Sequence, residues 1–110
     1  MSVEENKAIV RRWCEGLRGE DTTVVDEMLS ESFKYHWQDG SFWDREKCKS
    51  FYEKLIKEKP NAGELVDIMA EGDRVSVWLD YKDVQIRNLI HEIVDGKLVE
   101  TRLKCVQKAE

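Results

Sequence analysis

The sequence predicts an α+β fold in which about three N-terminal helices pack against one face of an antiparallel sheet. Apolar residues recur at helical spacing in the first half of the chain, and the second half holds strand-like runs separated by turn dipeptides. Asp95 and Gly96 form the clearest of these turns, because a two-residue type I′ hairpin needs positive φ at both central positions. Helices followed by consecutive strands are typical of an α+β domain.

Length and charge limit the class of protein. A chain of 110 residues with 41% hydrophobic and 37% charged residues is expected to form one globular domain over residues 1–110. The net charge of −5 argues against nucleic acid or an anionic membrane as a partner. No apolar run approaches the roughly 20 residues of a membrane span, and the acidic N-terminus lacks the apolar segment of a signal peptide.

The cysteines indicate a cellular compartment. The chain has three cysteines, an odd number, and none of them shows Cys-x-x-Cys spacing: Cys14, Cys48 and Cys105. This favours reduced, mostly buried thiols and a cytoplasmic location over disulfides or a zinc site. No cluster of His, Cys, Asp and Glu has the spacing of metal ligands, so neither a metal nor another cofactor is predicted.

Caps and periodicity predict the first two helices. Ser2 and Glu5 have the spacing of a capping box, and glycines end the helix near residue 18. Thr22 or Thr23 can cap a shorter second helix that includes Leu29. The apolar stripe of the first helix comprises Ile9, Val10, Trp13, Cys14 and Leu17.

The next elements are a strand, a third helix and a run of strands. From Ser32 apolar residues alternate with polar ones, which indicates a half-buried strand that ends at Asp39-Gly40. Asp44 is a candidate N-cap for the third helix, and Pro60 with the nearby Asn61 and Gly63 stops that helix. The remaining runs, at 65–71, 74–82, 84–94 and 97–107, are predicted to form a meander of four strands with a short connection at Lys82-Asp83.

The Asp95-Gly96 turn sets a register for the last hairpin. An uninterrupted ladder gives one largely apolar inner face that contains the Asn88 amide. On the other face, His91 lies opposite Glu100 and Arg87 opposite Lys104. The predicted inner-face pairs are Val94–Lys97, Glu92–Val99, Ile90–Thr101, Asn88–Leu103 and Ile86–Cys105.

The order of these elements resembles a known superfamily. The segments NKAIVRRWCEGL, GED, VVDEMLSESFKYHW, KEKPN, IMAEGDRVSVWLDY and EIVDGKLVETRL together resemble the nuclear transport factor 2-like superfamily, and most closely its SnoaL-like polyketide cyclase branch. The resemblance covers nearly the whole chain and implies a cystatin-like, cone-shaped curved sheet that is closed by helices around a pocket. Members include cyclases, ketosteroid isomerases, dehydratases, epoxide hydrolases and non-catalytic binding or dimerisation modules.

The resemblance implies two catalytic residues, His36 and Asn88. His36 stands where the isomerases carry their base, and SnoaL-like proteins often have a histidine there. The alternation of the strand, however, places His36 on the side of Lys34 and Gln38, and this pattern equally predicts a solvent-facing histidine. Asn88 matches the position of an acidic oxyanion donor in the isomerases, although a backbone group or water could also satisfy a buried amide.

The remaining candidates would bind a ligand. Trp13 stands at the position of the isomerases' hydrogen-bonding tyrosine, although core packing also accounts for an aromatic residue at helical spacing. Trp37 could line or gate the cavity. The predicted register places the other four candidates on the inner face near Asn88, and these are Ile90, Thr101, Leu103 and Cys105.

Three functions follow from the resemblance. The first is a domain of uncertain activity that binds a small apolar molecule. The alternatives are a proton-transfer enzyme (isomerase, cyclase or dehydratase) with His36 as its base, and a structural dimerisation module. The polar candidates His36 and Asn88 favour the first two, whereas the short connection at 81–84 favours the module. The outer sheet face often meets another copy in this superfamily, so a homodimer through that face is expected.

Overall fold

The computed structural model describes residues 2–19, 23–58, 64–81 and 85–108, with backbone only at residues 58, 81, 85 and 105–108. Pro60, Asn61, Gly63, Thr22 and the Lys82-Asp83 connection, which were considered as helix or strand ends, lie outside these residues. The elements in chain order are α1 (Val3–Arg18), α2 (Thr23–Met28), β1 (Leu29–His36), β2 (Phe42–Asp44), α3 (Arg45–Glu58), β3 (Glu64–Glu71), β4 (Arg74–Tyr81), β5 (Gln85–Val94) and β6 (Lys97–Lys108).

The predicted α+β architecture is confirmed, and the sheet contains one strand that was not predicted, β2. The strands form a single curved sheet in the order β2-β1-β6-β5-β4-β3. All neighbouring strands are antiparallel except β1 and β6, which run parallel. This parallel pair joins the first strand of the chain to the last, a long-range contact that local patterning does not reveal. The helices α1 and α3 pack on the inner face of the sheet, against β3 and β4 and against β1 respectively.

The predicted caps of α1 and α3 are confirmed, whereas Leu29, which was expected in the second helix, is the first residue of β1. The Ser2 hydroxyl accepts a hydrogen bond from the Glu5 backbone N–H, and the Glu5 carboxylate accepts one from the Ser2 N–H, so the capping box of α1 is complete. The Asp44 carboxylate accepts from the Lys47 N–H at 2.9 Å, which caps α3. Each cap satisfies backbone donors that have no partner within the helix.

The Asp95-Gly96 turn is present, but the register beyond it differs from the prediction. Both turn residues have positive φ, 51° and 79°, and Val94 pairs with Lys97 as expected. A β-bulge at Val99 then inserts one residue into β6, so Glu92 pairs with Glu100 and His91 with Thr101. A second irregularity follows at Lys104, beyond which Asn88 pairs with Cys105, Arg87 with Val106 and Ile86 with Gln107.

Because of this bulge, the residues of β5 that face inward are those that the prediction placed outward. Because side chains alternate along a strand, one inserted residue changes which partners share a face. Leu89, His91 and Ile93 are therefore buried on the inner face, where Ile90 and Asn88 were expected. Thr101 and Leu103 do face inward as predicted. The predicted outer pairs His91–Glu100 and Arg87–Lys104 are wrong for the same reason.

The core lies between the inner sheet face and the helices. Its largest fully buried side chains come from every layer of the fold, which indicates one continuous core. Among the residues that the structure describes, no helix is long and apolar enough to cross a membrane. The fully buried core positions include Val10, Val25, Phe33, Ile56, Val77 and Leu98.

Candidate functional site

A cavity of about 240 Å³ lies between α1, α3 and the inner face of the sheet. Its walls come from six elements, because the helices α1 and α3 lie across the concave side of β1, β2, β4 and β5. Most of the lining is apolar, and the helix residues Cys14, Leu17 and Leu55 face Leu79 and Leu89 of the sheet. The cavity therefore occupies the place where the resemblance implied a pocket.

An unbroken series of aromatic rings forms much of the cavity wall, and we call it the aromatic belt. Neighbouring rings meet edge-on or tilted, with centroids between 4.8 and 5.6 Å apart. Such contacts stabilise ring pairs by roughly 0.5–1.5 kcal/mol beyond their area burial, and they hold each ring in a defined orientation. The belt runs in the order Tyr35, Trp37, Trp43, Phe51, Tyr52 and Trp13.

His91 is the buried titratable group of the cavity wall. Its side chain is only 2% exposed, and its Nδ1 atom lies 2.7 Å from the Thr101 hydroxyl. The Nε2 atom is buried and has no hydrogen-bond partner among the described residues. Burial lowers the pKa of His91 to about 4, because a charged imidazolium is costly away from water. The ring is therefore neutral near pH 7.

A second nitrogen in the wall also lacks a partner. The indole Nε1 of Trp37 is buried and makes no hydrogen bond within the described part of the chain. An unmet buried donor is uncommon, because the group loses its hydrogen bonds to water. Arg87 also lines this cavity. His91 and Trp37 are thus two wall residues that each carry a buried nitrogen without a partner among the described residues.

The two cysteines that line the cavity behave as small apolar residues. Cys14 and Cys48 are buried and free. Burial raises the pKa of each thiol to about 12, so neither forms a nucleophilic thiolate near pH 7. We find no group of three or more potential metal ligands within residues 2–19, 23–58, 64–81 and 85–108.

The structure places His36 on the outer sheet face, which corrects the expectation that it lies in the pocket. Alternation along β1 turns Phe33 and Tyr35 inward and His36 outward. Its Nε2 donates to the Glu100 carboxylate at 3.0 Å. Burial raises the pKa of Glu100, but this hydrogen bond and the charge of Arg102 outweigh burial and lower it overall. His36 is thus engaged in a hydrogen bond with Glu100 outside the cavity.

Asn88 also lies outside the cavity. It is buried, but its amide donates to the Ser76 hydroxyl at 2.9 Å and to the Val77 carbonyl at 3.0 Å. The alternative interpretation, in which protein groups satisfy the amide, is therefore the observed one. This reversal of the predicted faces of β5 places Asn88 with Ser76 on the outer side of the sheet.

The predicted ligand-binding residues divide between the two faces. Trp13 and Trp37 line the cavity. Thr101 does not line it but hydrogen-bonds to His91, which does. Leu103 borders a shallower depression beside Trp37. Ile90 lies in a groove on the outer face, contrary to the predicted register, and the side chain of Cys105 lies outside the described positions.

Sequence reasoning missed several wall residues. His91 and Arg87 were assigned to the outer face because no local signal reveals the bulge at Val99. Phe51 and Tyr52 of α3 line the cavity but were not among the candidate site residues. The one signal available for Phe51 and Tyr52 was their aromatic character, since rings on a helix that packs against a sheet can form a cavity wall. Trp43, which could line or gate a cavity, does line it.

The fold and the cavity define a class of protein: an α+β domain with a curved sheet and helices that enclose an internal pocket. The sequence comparison agrees with this class. Residues 10–101 match the SnoaL-like domain, and the chain belongs to this family within the nuclear transport factor 2-like superfamily. No curated protein sequence matches the chain.

Solved structures share the fold over nearly the whole chain. A nuclear transport factor 2-like protein of unknown function from Mesorhizobium loti superposes with a TM-score of 0.78 at 16% identity, covering 98% of this chain and 93% of that one. A LEH-like epoxide hydrolase of M. tuberculosis gives 0.74 at 16%, covering 97% and 84%. A ketosteroid isomerase-like protein from Kribbella flavida gives 0.73 at 21%, covering 98% and 80%. At such identities the likeness shows the fold, and the chemistry depends on the residues of each cavity.

Proposed function

We propose that this SnoaL-like domain binds a small, flat, largely apolar molecule in its internal cavity. The aromatic belt is the observation that supports this function. Six rings in edge-on or tilted contact offer apolar walls to a planar ligand, and two wall residues carry a buried nitrogen that lacks a partner among the described residues. A pocket with an apolar lining and a few convergent polar groups is the usual form of a small-molecule site.

The size of the cavity limits the size of the ligand. Its volume of about 240 Å³ lies somewhat below the roughly 300–1,000 Å³ of most ligand pockets. A molecule of one or two fused rings suits this space, whereas a four-ring compound would require the walls to move. The free energy of binding would come chiefly from apolar contact with Trp13, Trp37 and Trp43.

The observed geometry does not support the proton-transfer alternative built on His36. That mechanism needs a base and an oxyanion donor on one cavity, but His36 and Asn88 lie on the outer face and bond to Glu100 and Ser76. His91 does line the cavity, yet a pKa of about 4 makes it a weak base near pH 7. A purely structural module would not need an unfilled aromatic cavity.

Indene, a flat two-ring hydrocarbon, tests the cavity as a binding site. Saturation-transfer NMR should detect indene bound to the wild-type protein. The Leu55→Trp variant places an additional ring at the cavity wall and should reduce this signal several-fold. Lys54→Trp is the matched control, since it adds the same ring at the exposed neighbouring position of α3. Equal signals from both variants would contradict the proposed site.

We also propose that the outer sheet face pairs with a second copy of the chain. Among the described residues no helix covers this face, and Phe42 and Met69 remain exposed there. Around Ile90 the groove carries Glu92 and Glu100 beside two arginines. A twofold contact brings a patch against itself, so mixed charges of this kind can complement one another.

Sedimentation equilibrium tests the pairing. The wild type should sediment as twice the 13.0 kDa chain mass, and Ile90→Glu should shift the population toward the single-chain mass. Val3→Glu is the matched control, because Val3 is an exposed apolar residue at the start of α1, and it should leave the mass unchanged. A wild-type protein that stays at 13.0 kDa at high concentration would refute the dimer.

We further propose a cytoplasmic location. The free and buried thiols of Cys14 and Cys48 support it, because reduced cysteines are typical of that compartment. Fractionation of expressing cells provides the test, and recovery of the protein in an oxidising compartment would contradict it.

A further inference from the structure

We infer that His91, held by Thr101, is the specificity-determining residue of the cavity. In this arrangement the ring presents an N–H to the ligand and selects molecules whose buried end carries a hydrogen-bond acceptor over molecules that carry a donor there. The acceptor can be an oxygen or an unprotonated ring nitrogen. This inference rests on the proposed ligand-binding function and assigns a chemical preference to the same site.

Hydrogen-bond accounting favours one tautomer of His91. The contact between Nδ1 and the Thr101 hydroxyl, at 2.7 Å, is the one hydrogen bond that the described residues provide to that hydroxyl. If Thr101 donates to Nδ1, both groups are satisfied and the proton of the imidazole sits on Nε2. If instead Nδ1–H donates to Thr101, the buried hydroxyl proton has no acceptor, and Nε2 is left as a bare lone pair. The first arrangement leaves fewer groups unmet.

The other nitrogens of the cavity wall reinforce this preference. Indole N–H groups and the guanidinium of Arg87 can donate but cannot accept. Trp37 Nε1 is buried without a partner among the described residues, so it too would be met by an acceptor on the ligand. With His91 as an Nε2–H donor, two residues of the wall carry donors that have no partner among the described residues. A ligand donor placed against them would leave both sides unpaired.

Desolvation makes the preference measurable. His91 is 2% exposed and faces a cavity with aromatic walls, where a hydrogen bond competes little with water. A ligand acceptor that restores the hydrogen bond lost by His91 on burial is expected to bind about tenfold more tightly than a ligand without one. The neutral state of the ring near pH 7 agrees with a role as a donor that does not transfer its proton.

Three probes of one size separate the possibilities. Indanone accepts a hydrogen bond but does not donate, indole donates through its N–H, and indene does neither. Wild-type protein should bind indanone about tenfold more tightly than indene, with indole no better than indene. A preference for indole would show that Nε2 is an acceptor, and equal affinity for all three would show that His91 selects nothing. Either result overturns the inference.

Variants assign the preference to the histidine. His91→Phe keeps a flat ring without nitrogens, so indanone and indene should bind alike. His91→Gln retains an N–H donor near the position of Nε2 and should keep part of the preference. If His91→Phe still prefers indanone about tenfold, another group is responsible and the inference fails.

The ring tautomer can be read directly in the free protein. Two-bond ¹H–¹⁵N correlation spectra distinguish protonated from unprotonated ring nitrogens, and the chain has only two histidines to assign. Near pH 7, His91 should show a protonated Nε2 and an unprotonated Nδ1. The opposite pattern would overturn the inference. If none of the three probes binds, the proposed binding function fails, while this spectrum still decides the His91 tautomer.

Discussion

His91 lies directly opposite Thr101 across β5 and β6, and their side chains hydrogen-bond at 2.7 Å inside the protein. Both residues are about 2% exposed. This polar pair sits between Leu89 and Ile93 of the same strand, on a face that is otherwise apolar. The pair joins the core to the cavity, since one ring nitrogen bonds to Thr101 while the ring itself forms part of the cavity wall.

Removal of the Thr101 hydroxyl should destabilise the fold. Thr101→Val keeps the shape of the side chain but leaves His91 Nδ1 buried without a partner, at a cost of about 1–3 kcal/mol. Thr101→Ser retains the hydroxyl and should cost less. Urea denaturation of the two variants measures the difference. A Thr101→Val variant as stable as Thr101→Ser would show that the hydrogen bond contributes nothing to stability.

Stability should fall as the pH is lowered through the range set by His91. Its pKa is lowered from 6.5 to about 4 in the folded state by burial. Between these values the unfolded chain binds a proton that the folded chain excludes, so the free energy of unfolding decreases as the pH falls. Below about pH 4 both states are protonated and this contribution no longer changes.

A variant without an imidazole isolates this effect. His91→Gln cannot titrate, and it keeps His36 and Glu100 of the outer face unchanged. The free energy of unfolding of the wild type, relative to His91→Gln, should therefore decline as the pH is lowered from about 6.5 toward 4. Denaturant titrations at several pH values measure it. Parallel pH curves for the two proteins would count against a buried, neutral His91.

Gly16 should tolerate no side chain even though it lies within a helix. A Cβ atom there would approach the buried Val24 side chain to 2.6 Å. Alanine is favoured over glycine in helices by about 1 kcal/mol, yet overpacking costs about 1–3 kcal/mol, so Gly16→Ala should destabilise the protein. Combining Gly16→Ala with Val24→Ala should relieve the clash and show a coupling between the two sites. A thermally stabilised Gly16→Ala would mean that α2 shifts freely against α1.

His36 should not affect binding in the cavity. Its ring lies on the outer face and hydrogen-bonds to Glu100 in a partly exposed contact. His36→Ala should leave the affinity for indanone within about twofold of wild type, whereas His91→Phe should lower it about tenfold. Calorimetric titration compares them. A tenfold loss in His36→Ala would restore the expectation drawn from family resemblance.

Local signals were sufficient to predict much of the fold. The Ser2–Glu5 capping box, the Asp44 cap and the Asp95-Gly96 turn are each decided by residues within a few positions of one another. Such features depend on short-range hydrogen bonds and on allowed φ values, both of which follow from the types of neighbouring residues. The resemblance to the SnoaL-like branch then supplied the curved sheet and its pocket.

The composition of the site could not be predicted to the same extent. A single inserted residue at Val99 moves His91 and Leu89 inward and Ile90 outward. No turn dipeptide or glycine marks this bulge at its position in β6, a strand that lies between β5 and β1 in the sheet. Trp13 and Trp37 do line the cavity, because helical spacing and the alternation that continues past β1 turn them inward, while their role in binding stays a prediction.

Intermolecular nuclear Overhauser effects offer the most direct test of ligand binding inside the sheet. With indene bound, its ring protons should show contacts to the methyl groups of Leu79 and Leu89, which face the cavity. Contacts confined to Ile90 on the outer face, or no contacts at saturating indene, would contradict the central claim that this domain binds flat apolar molecules within its aromatic belt.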